Sequence, residues 1–140
     1  MSERKAYPTF IAKFKADYIV YVPDLDAYTQ GTGMENAIDM ARDIIGLTCV
    51  DWETAGKKIP EASDYEQAIE KAKRNTDDFD YTTGILTLVD VDIEAFRKKV
   101  MNQSVKKNCT IPYWLSVKAD EAGVNFSKVL QEALCQKLKL

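Results

Sequence analysis

Very few side chains in this 140-residue sequence are arranged to do covalent chemistry. There is no His, which removes the commonest general acid–base group, the commonest metal ligand and every Ser-His or Cys-His nucleophile pair. The three cysteines, Cys49, Cys109 and Cys135, are odd in number, far apart and without C-x-x-C or zinc spacing. They read as reduced thiols, with Cys49 and Cys135 on apolar helix faces as core residues. One carboxylate constellation is left, Asp24 and Asp26 with Glu35 or Asp51, a set able to hold paired metal ions. Asp24 and Asp26, however, lie in a turn-rich loop opened by Pro23, where Asp is favoured for hydrogen bonds to the local backbone. A solvated loop and a contact surface for a basic partner both compete with the metal reading, and no metal, cofactor or catalytic residue is expected.

Charge gives a clearer lead. Residues 1 to 98 carry 12 Lys and Arg against 19 Asp and Glu, a net of −7, whereas residues 99 to 140 carry 7 against 3, a net of +4. An acidic body with a short basic end suggests a cationic partner for the first part and nucleic acid for the second. At 46% hydrophobic, the chain can pack one domain or a domain with a small appendage, which excludes a disordered tail-like protein. Met1-Ser2-Glu3-Arg4-Lys5 leads into an alternating segment rather than a signal-peptide core, and no run approaches 18 apolar residues. A cytoplasmic protein with no membrane partner is expected.

The elements that must position these residues follow from periodicity. Tyr7 to Phe14 alternates Phe10, Ala12 and Phe14 with Ile11 and Lys13, the pattern of a half-buried strand. Tyr18 to Val22, stopped by Pro23, completes a hairpin, and Ala27 to Gln30 makes a third short strand. Thr32-Gly33-Met34-Glu35 fits a capping box with Thr32 as the cap. It opens a long helix whose stripe Met34, Ala37, Ile38, Ala41, Ile44, Ile45, Cys49 and Trp52 ends near Gly56. Ser63-Asp64-Tyr65-Glu66 is a second such box, starting a short helix with Tyr65, Ala68, Ile69 and Ala72 on one side and a polar tail through Asp80. Ile85 to Val91 reads as a central strand buried on both faces, and Asp92 caps a brief helix carrying Ile93, Phe96 and Val100 inward. The order β-β-β-α-α-β-α predicts an α+β sheet with its long helix on one face.

Composition changes at Met101-Asn102-Gln103-Ser104, dividing the chain into domains 1–100 and 101–140. The second part has an alternating strand, Lys106 to Ile111, then Pro112 at a helix start, a helix through Ala122, a stop at Gly123, and a helix capped by Asn125. That last helix carries the stripe Phe126, Val129, Leu130, Ala133, Leu134 and Leu138. A piece below ~40 residues with one strand and two helices cannot bury a core alone. Its strand needs a partner strand from another copy, so a homodimer or higher oligomer is expected. Along the strand Lys106, Asn108 and Thr110 form a polar row opposite Lys107, Cys109 and Ile111, and on periodicity alone the polar row is a solvent face.

One strand, two helices, Gly123 between them and Asn125 at the second cap resemble a ribbon-helix-helix module of dimeric bacterial repressors, whose paired strands enter the major groove. The body resembles the HicB antitoxin family: Tyr21-Val22-Pro23-Asp24-Leu25 before a short strand, Thr29-Gln30-Gly31 leading to Glu35-Asn36-Ala37, the Ile59-Pro60 exit, and Val89-Asp90-Val91-Asp92 before a helix. The C-terminal runs Thr110-Ile111-Pro112-Tyr113-Trp114-Leu115 and Ala122-Gly123-Val124-Asn125-Phe126-Ser127-Lys128-Val129-Leu130-Gln131-Glu132-Ala133-Leu134 are similar to the same family. Each motif is short, and the combination covers nearly the whole chain. The segment from Asp64 to Tyr81 departs from the shorter loops common there. Lys107 departs too, standing where the family buries an apolar residue; it can snorkel at the ribbon end.

The resemblance implies a type II toxin–antitoxin system. A partial RNase H-like sheet would block a small HicA-type ribonuclease, and the DNA-binding end would repress the shared operon. It turns the polar row toward DNA: Lys106, Asn108 and Thr110 at base edges, with Asn125, Ser127 and Lys128 at a helix N-terminus able to hold a phosphate, where a plain capping turn is the competing reading. Cys109, Ile111, Trp114, Phe126, Val129, Leu130 and Leu134 become the dimer core. Tyr21, Asp24, Asp26, Tyr28 and Gln30, on the short strand and its loop, are the expected toxin contacts because an uncovered edge and exposed carboxylates are expected there. A repressor with a ligand-sensing N-terminal domain and a metal-dependent nuclease with a DNA-binding tail remain alternatives.

Overall fold

A computed structural model describes residues 3–140; Met1 and Ser2, the start of the opening segment, lie outside the described residues. The chain divides into two compact units after Gln103. In the first, β1 (Arg4–Phe14), β2 (Asp17–Val22), β3 (Ala27–Gly31) and β4 (Ile85–Asp92) form one antiparallel sheet in the order β3-β2-β1-β4. Helices α1 (Met34–Thr54), α2 (Tyr65–Lys73) and α3 (Ile93–Met101) complete it in the anticipated order.

The two faces of the sheet separate along β1 and β2. Ile11 pairs with Val20 and Phe10 with Tyr21, and because successive side chains point to opposite faces, the two pairs enter different cores. Ile11 and Val20 join Tyr7, Val22, Val89 and Val91 beneath Ala37, Ala41, Ile45 and Cys49 of α1. Phe10 and Tyr21 pack instead with Ala68 and Ala72 of α2, flanked by Ile69, Tyr81 and Leu86. The strand expected to be half-buried is therefore the central one, buried continuously from Tyr7 to Ala12. The strand expected at the centre, β4, is an edge. It pairs only with β1, and while Val89 and Val91 are buried, Ile85 and Leu88 are 55% and 69% exposed. An apolar run shows that a strand has apolar residues on both faces, not how many neighbours it has. Asp90, which accepts from Arg4 at 2.7 Å and Arg42 at 3.3 Å, places charge on this edge and disfavours edge-to-edge association.

Local chemistry sets the helix ends, with some shifts from expectation. Gly33, not Thr32, is the N-cap of α1, without a side-chain cap; the Thr32 N–H instead donates to Asn36 Oδ1 at 3.0 Å. For α2 the capping box moves one residue to Asp64 and Gln67, which frees Ser63. Helix α2 ends at Lys73, and residues 81–83 form a single 3-10 turn capped by Asp80 through the Thr82 N–H. Asp92 caps α3 by accepting from the Ala95 N–H at 3.1 Å, as anticipated.

The second unit, Ser104–Leu140, holds α4 (Tyr113–Glu121) and α5 (Phe126–Lys137). Between them Gly123 adopts φ +67°, a left-handed turn that glycine takes at little cost. Asn125 caps α5 by accepting from the Lys128 N–H. Residues 104–112 contain neither helix nor strand, so the pairing expected at 106–111 is not made within one chain. No residue of the unit is buried. Cys135, expected in a core, is exposed, whereas Cys49 is fully buried. Among the described residues no helix is long and apolar enough to cross a membrane.

At the turn from β3 into α1 the backbone of Ala37 lies so close to Gly31 that an added Cβ would sit 2.5 Å from its nitrogen. Gly31→Ala is expected to cost about 1–3 kcal/mol by overpacking, read as a lower urea midpoint; an unchanged midpoint would contradict this close approach.

Candidate functional site

The loop between β2 and β3 is built by Pro23, which opens a 3-10 turn over Pro23–Leu25, and by Asp26, which closes it at φ +46°. Asp24 does not face solvent as the sequence reading expected. Its side chain is fully buried, and it accepts from the Ser63 N–H at 2.8 Å, from the Ser63 hydroxyl, and from Lys71 Nζ at 2.6 Å. Lys71 also donates to Ser63 Oγ at 2.9 Å. Three groups from residues 63 and 71 therefore converge on one carboxylate and clasp the loop to the start and second turn of α2. Burial alone would raise the Asp24 pKa; the hydrogen bonds from Lys71 and Ser63, with the charge of Lys71, outweigh it and hold the carboxyl below its usual range. A carboxylate so engaged is a poor metal ligand, and among the described residues no group of three or more Cys, Asp or Glu could hold a metal ion.

Tyr21 is also inside, 3% exposed, stacked on Tyr28 with centroids 4.7 Å apart and against Tyr81 at 5.1 Å. Asp26, Tyr28 and Gln30 do lie on the surface, on or beside β3, which is an edge strand. The Tyr28 hydroxyl donates to Asp26 Oδ1 at 3.2 Å and accepts from Asn75 Nδ2. Burial, reinforced by the neighbouring Tyr21 and by Asp26, keeps this phenol protonated far above its ordinary range. Of the five expected contact residues, three are presented together and two hold the surface up from beneath. Ser63, Lys71, Asn75 and Tyr81 were missed, although the spare Ser beside a stronger Asp cap was a usable signal for Ser63.

In the second unit, the residues expected to form a dimer core are exposed together. Trp114 is 61% exposed, and Ile111, Phe126, Val129, Leu130 and Leu134 lie between 37% and 49%; Cys109 is exposed as well. An open cleft of about 500 Å³ is lined by Lys107, Cys109 and Ile111 on one side and by Phe126, Val129, Leu130 and Ala133 of α5 on the other. Lys107 thus shares its side with the apolar row. Lys106, Asn108 and Thr110 are not part of that lining and are exposed. Asn125 is occupied as a cap, while Ser127 and Lys128 stand exposed in the first turn of α5.

Tyr28, exposed on the edge strand of an α/β body, and the uncovered apolar face of a helical unit are the surfaces this chain presents, and the matching family model describes an antitoxin of a bacterial toxin–antitoxin system. That model spans residues 7–133, and the chain belongs to the HicB-like antitoxin family. Among solved structures it is similar to a chain of a toxin–antitoxin complex from Streptococcus pneumoniae, at 26% identity and TM-score 0.61, covering 96% of this chain and 99% of that one. It also shares its fold with the antitoxin HicB of Burkholderia pseudomallei, at 20% identity and TM-score 0.51, covering 96% of each chain. No curated protein matches it.

The Asp24 clasp has a measurable consequence. Asp24→Ala strands the Ser63 and Lys71 donors and is expected to cost about 2–3 kcal/mol. A folded-state pKa below the unfolded one gives stability that is present above about pH 4 and lost as pH falls through the folded value. The gap between wild type and Asp24→Ala in urea midpoint should therefore shrink below about pH 4. A gap that stays constant down to strongly acid pH would contradict the clasp.

Proposed function

We propose that this chain is the antitoxin and autorepressor of its own toxin–antitoxin pair. The acidic body binds and blocks a HicA-type ribonuclease, and paired basic tails bind operator DNA. The protein acts by occupying surfaces and not by catalysis, in the cytoplasm, as a homodimer or higher oligomer. In this reading the body is a partial RNase H-like domain and residues 101–140 are a ribbon-helix-helix module.

The observation that carries the reading is the coincidence of charge with burial. The part with a net of −7 over residues 1–98 has two cores of its own. The part with a net of +4 over residues 99–140 lies almost wholly in a unit with none. A ribonuclease must attract phosphates, so its active face is basic, and an acidic surface beside an open strand edge suits it electrostatically. Asp26, Tyr28 and Gln30 are the contact residues at that edge; Tyr21 and Asp24 support them from beneath. In the tail, antiparallel pairing of 106–111 with a second copy would cover the cleft behind Lys107, Cys109 and Ile111 and turn Lys106, Asn108 and Thr110 toward the major groove.

Two outcomes are expected. Asp26→Asn with Gln30→Lys should slow association with the toxin several-fold at low salt and impair protection of cells, with little change in the unfolding midpoint because Asn tolerates the left-handed turn and can still accept from Tyr28; full protection would place the contact elsewhere. Asn108→Ala should weaken operator binding by about 1–3 kcal/mol and relax sequence choice, whereas Lys128→Ala should weaken all DNA equally and flatten the salt dependence. Gel shifts unchanged in both variants would contradict the groove assignment.

A further inference from the structure

Residues 74–81 between α2 and the last strand do more than connect them. Asn75, Asp78, Phe79 and Tyr81 wall a recess of about 290 Å³ whose remaining side is Tyr28 of β3. Around Tyr81, Tyr28 lies 6.0 Å away at 53° and Phe79 5.2 Å away at 70°. These rings are mutually inclined and form walls, not a flat stack. Asn75, held by its donation to the Tyr28 hydroxyl, fixes the rim. Asp78 is exposed and has no ion-pair partner among the described residues, yet it is near enough for its charge, after burial, to help raise the Tyr81 phenol. The chain does not fill the recess itself, for Arg74, the adjacent cation, is held by Glu70. At the far end of the aromatic cluster, where Phe14 meets Phe79 edge-on at 5.7 Å, the Lys15 ammonium already sits 5.4 Å from the Phe14 ring.

We propose that this recess receives one arginine side chain of the protein partner, which makes residues 74–81 a contact element of the antitoxin body. The proposal rests on the antitoxin reading and adds to it a specific anchor. A guanidinium is planar and weakly hydrated, stacks on aromatic faces and pairs with a carboxylate at its edge. Inclined rings with one unpaired carboxylate match that set of needs. Nucleic acid phosphate would be repelled by Asp78, and by Asp26 on the Tyr28 hydroxyl. A buried, ring-stacked cation mainly slows dissociation, whereas the surrounding acidic surface mainly speeds encounter.

The full chain should be titrated with N-acetyl-arginine amide, and separately with N-acetyl-glutamine amide, while the ligand side-chain protons and the Phe79 and Tyr81 ring protons are followed by NMR. The arginine amide is expected to give saturable upfield shifts of its δ-methylene protons, at least several-fold weaker binding to Asp78→Asn, and no saturation with Phe79→Leu, which keeps the apolar bulk without the ring. Equal shifts from the glutamine amide, no saturation with wild type, or indistinguishable variants would overturn the recess. In parallel, cells expressing the HicA-type toxin that the antitoxin reading requires should be protected by wild type and less well by the Asp78→Asn, Phe79→Leu double variant. The purified double-variant complex should dissociate about ten-fold faster. Equal protection and equal dissociation would overturn the recess alone, whereas no protection by wild type would overturn the antitoxin reading and this proposal with it.

Discussion

Thirty-seven residues, Ser104–Leu140, carry Ile111, Trp114, Phe126, Val129, Leu130 and Leu134 and bury none of them. Two short helices enclose too little volume to hide that many apolar side chains from water. Solvated apolar surface of this kind is the mark of an interface, and the segment at 106–111, which has the alternation of a strand but no strand partner in its own chain, offers the hydrogen bonds that would close it. In the proposed antitoxin reading a second copy would meet this constraint. In that reading, pairing would gather the basic residues of two chains into one surface and bring their two polar rows together.

The body meets the opposite demand. Its central strand is buried from Tyr7 to Ala12 on both faces, which takes a cover on each. Helix α1 supplies one cover and the shorter α2 the other. Covering the second face costs a polar link, because α2 must be tied down where its apolar side is narrow, and the Asp24 carboxylate does this with the two donors of Ser63 and the ammonium of Lys71. The same connection brings Asn75 and Tyr81 beside Tyr28, so the element that completes the core also shapes the exposed edge.

The legible parts of this architecture are those set by neighbours in sequence. The long helix follows from the spacing of Ala37, Ala41, Ile45 and Cys49, all fully buried, and the caps at Asp92 and Asn125 follow from residue type. The roles of β1 and β4 were exchanged because periodicity registers faces and not the number of neighbours; the run Phe10-Ile11-Ala12, apolar on both sides, was the overlooked sign of centrality. Asp24 beside Pro23 has the signature of a solvated turn, and only a contact across 47 positions, to Lys71, makes it structural. Ser63 was misread as a cap because Asp64, a stronger one, stood next to it. At the candidate edge, Asp26, Tyr28 and Gln30 could be placed from the strand pattern. The aromatic wall from Phe79 and Tyr81 could not, since it arises from a loop folding back.

The claim that organises this picture is that the tail exists in pairs, and sedimentation equilibrium of the full chain at micromolar concentration tests it directly. Paired tails predict a species of at least twice the 15.8 kDa chain mass at concentrations where α4 and α5 are protected from hydrogen exchange. A 15.8 kDa species whose α5 amides were equally protected would show that one copy suffices, and would contradict it.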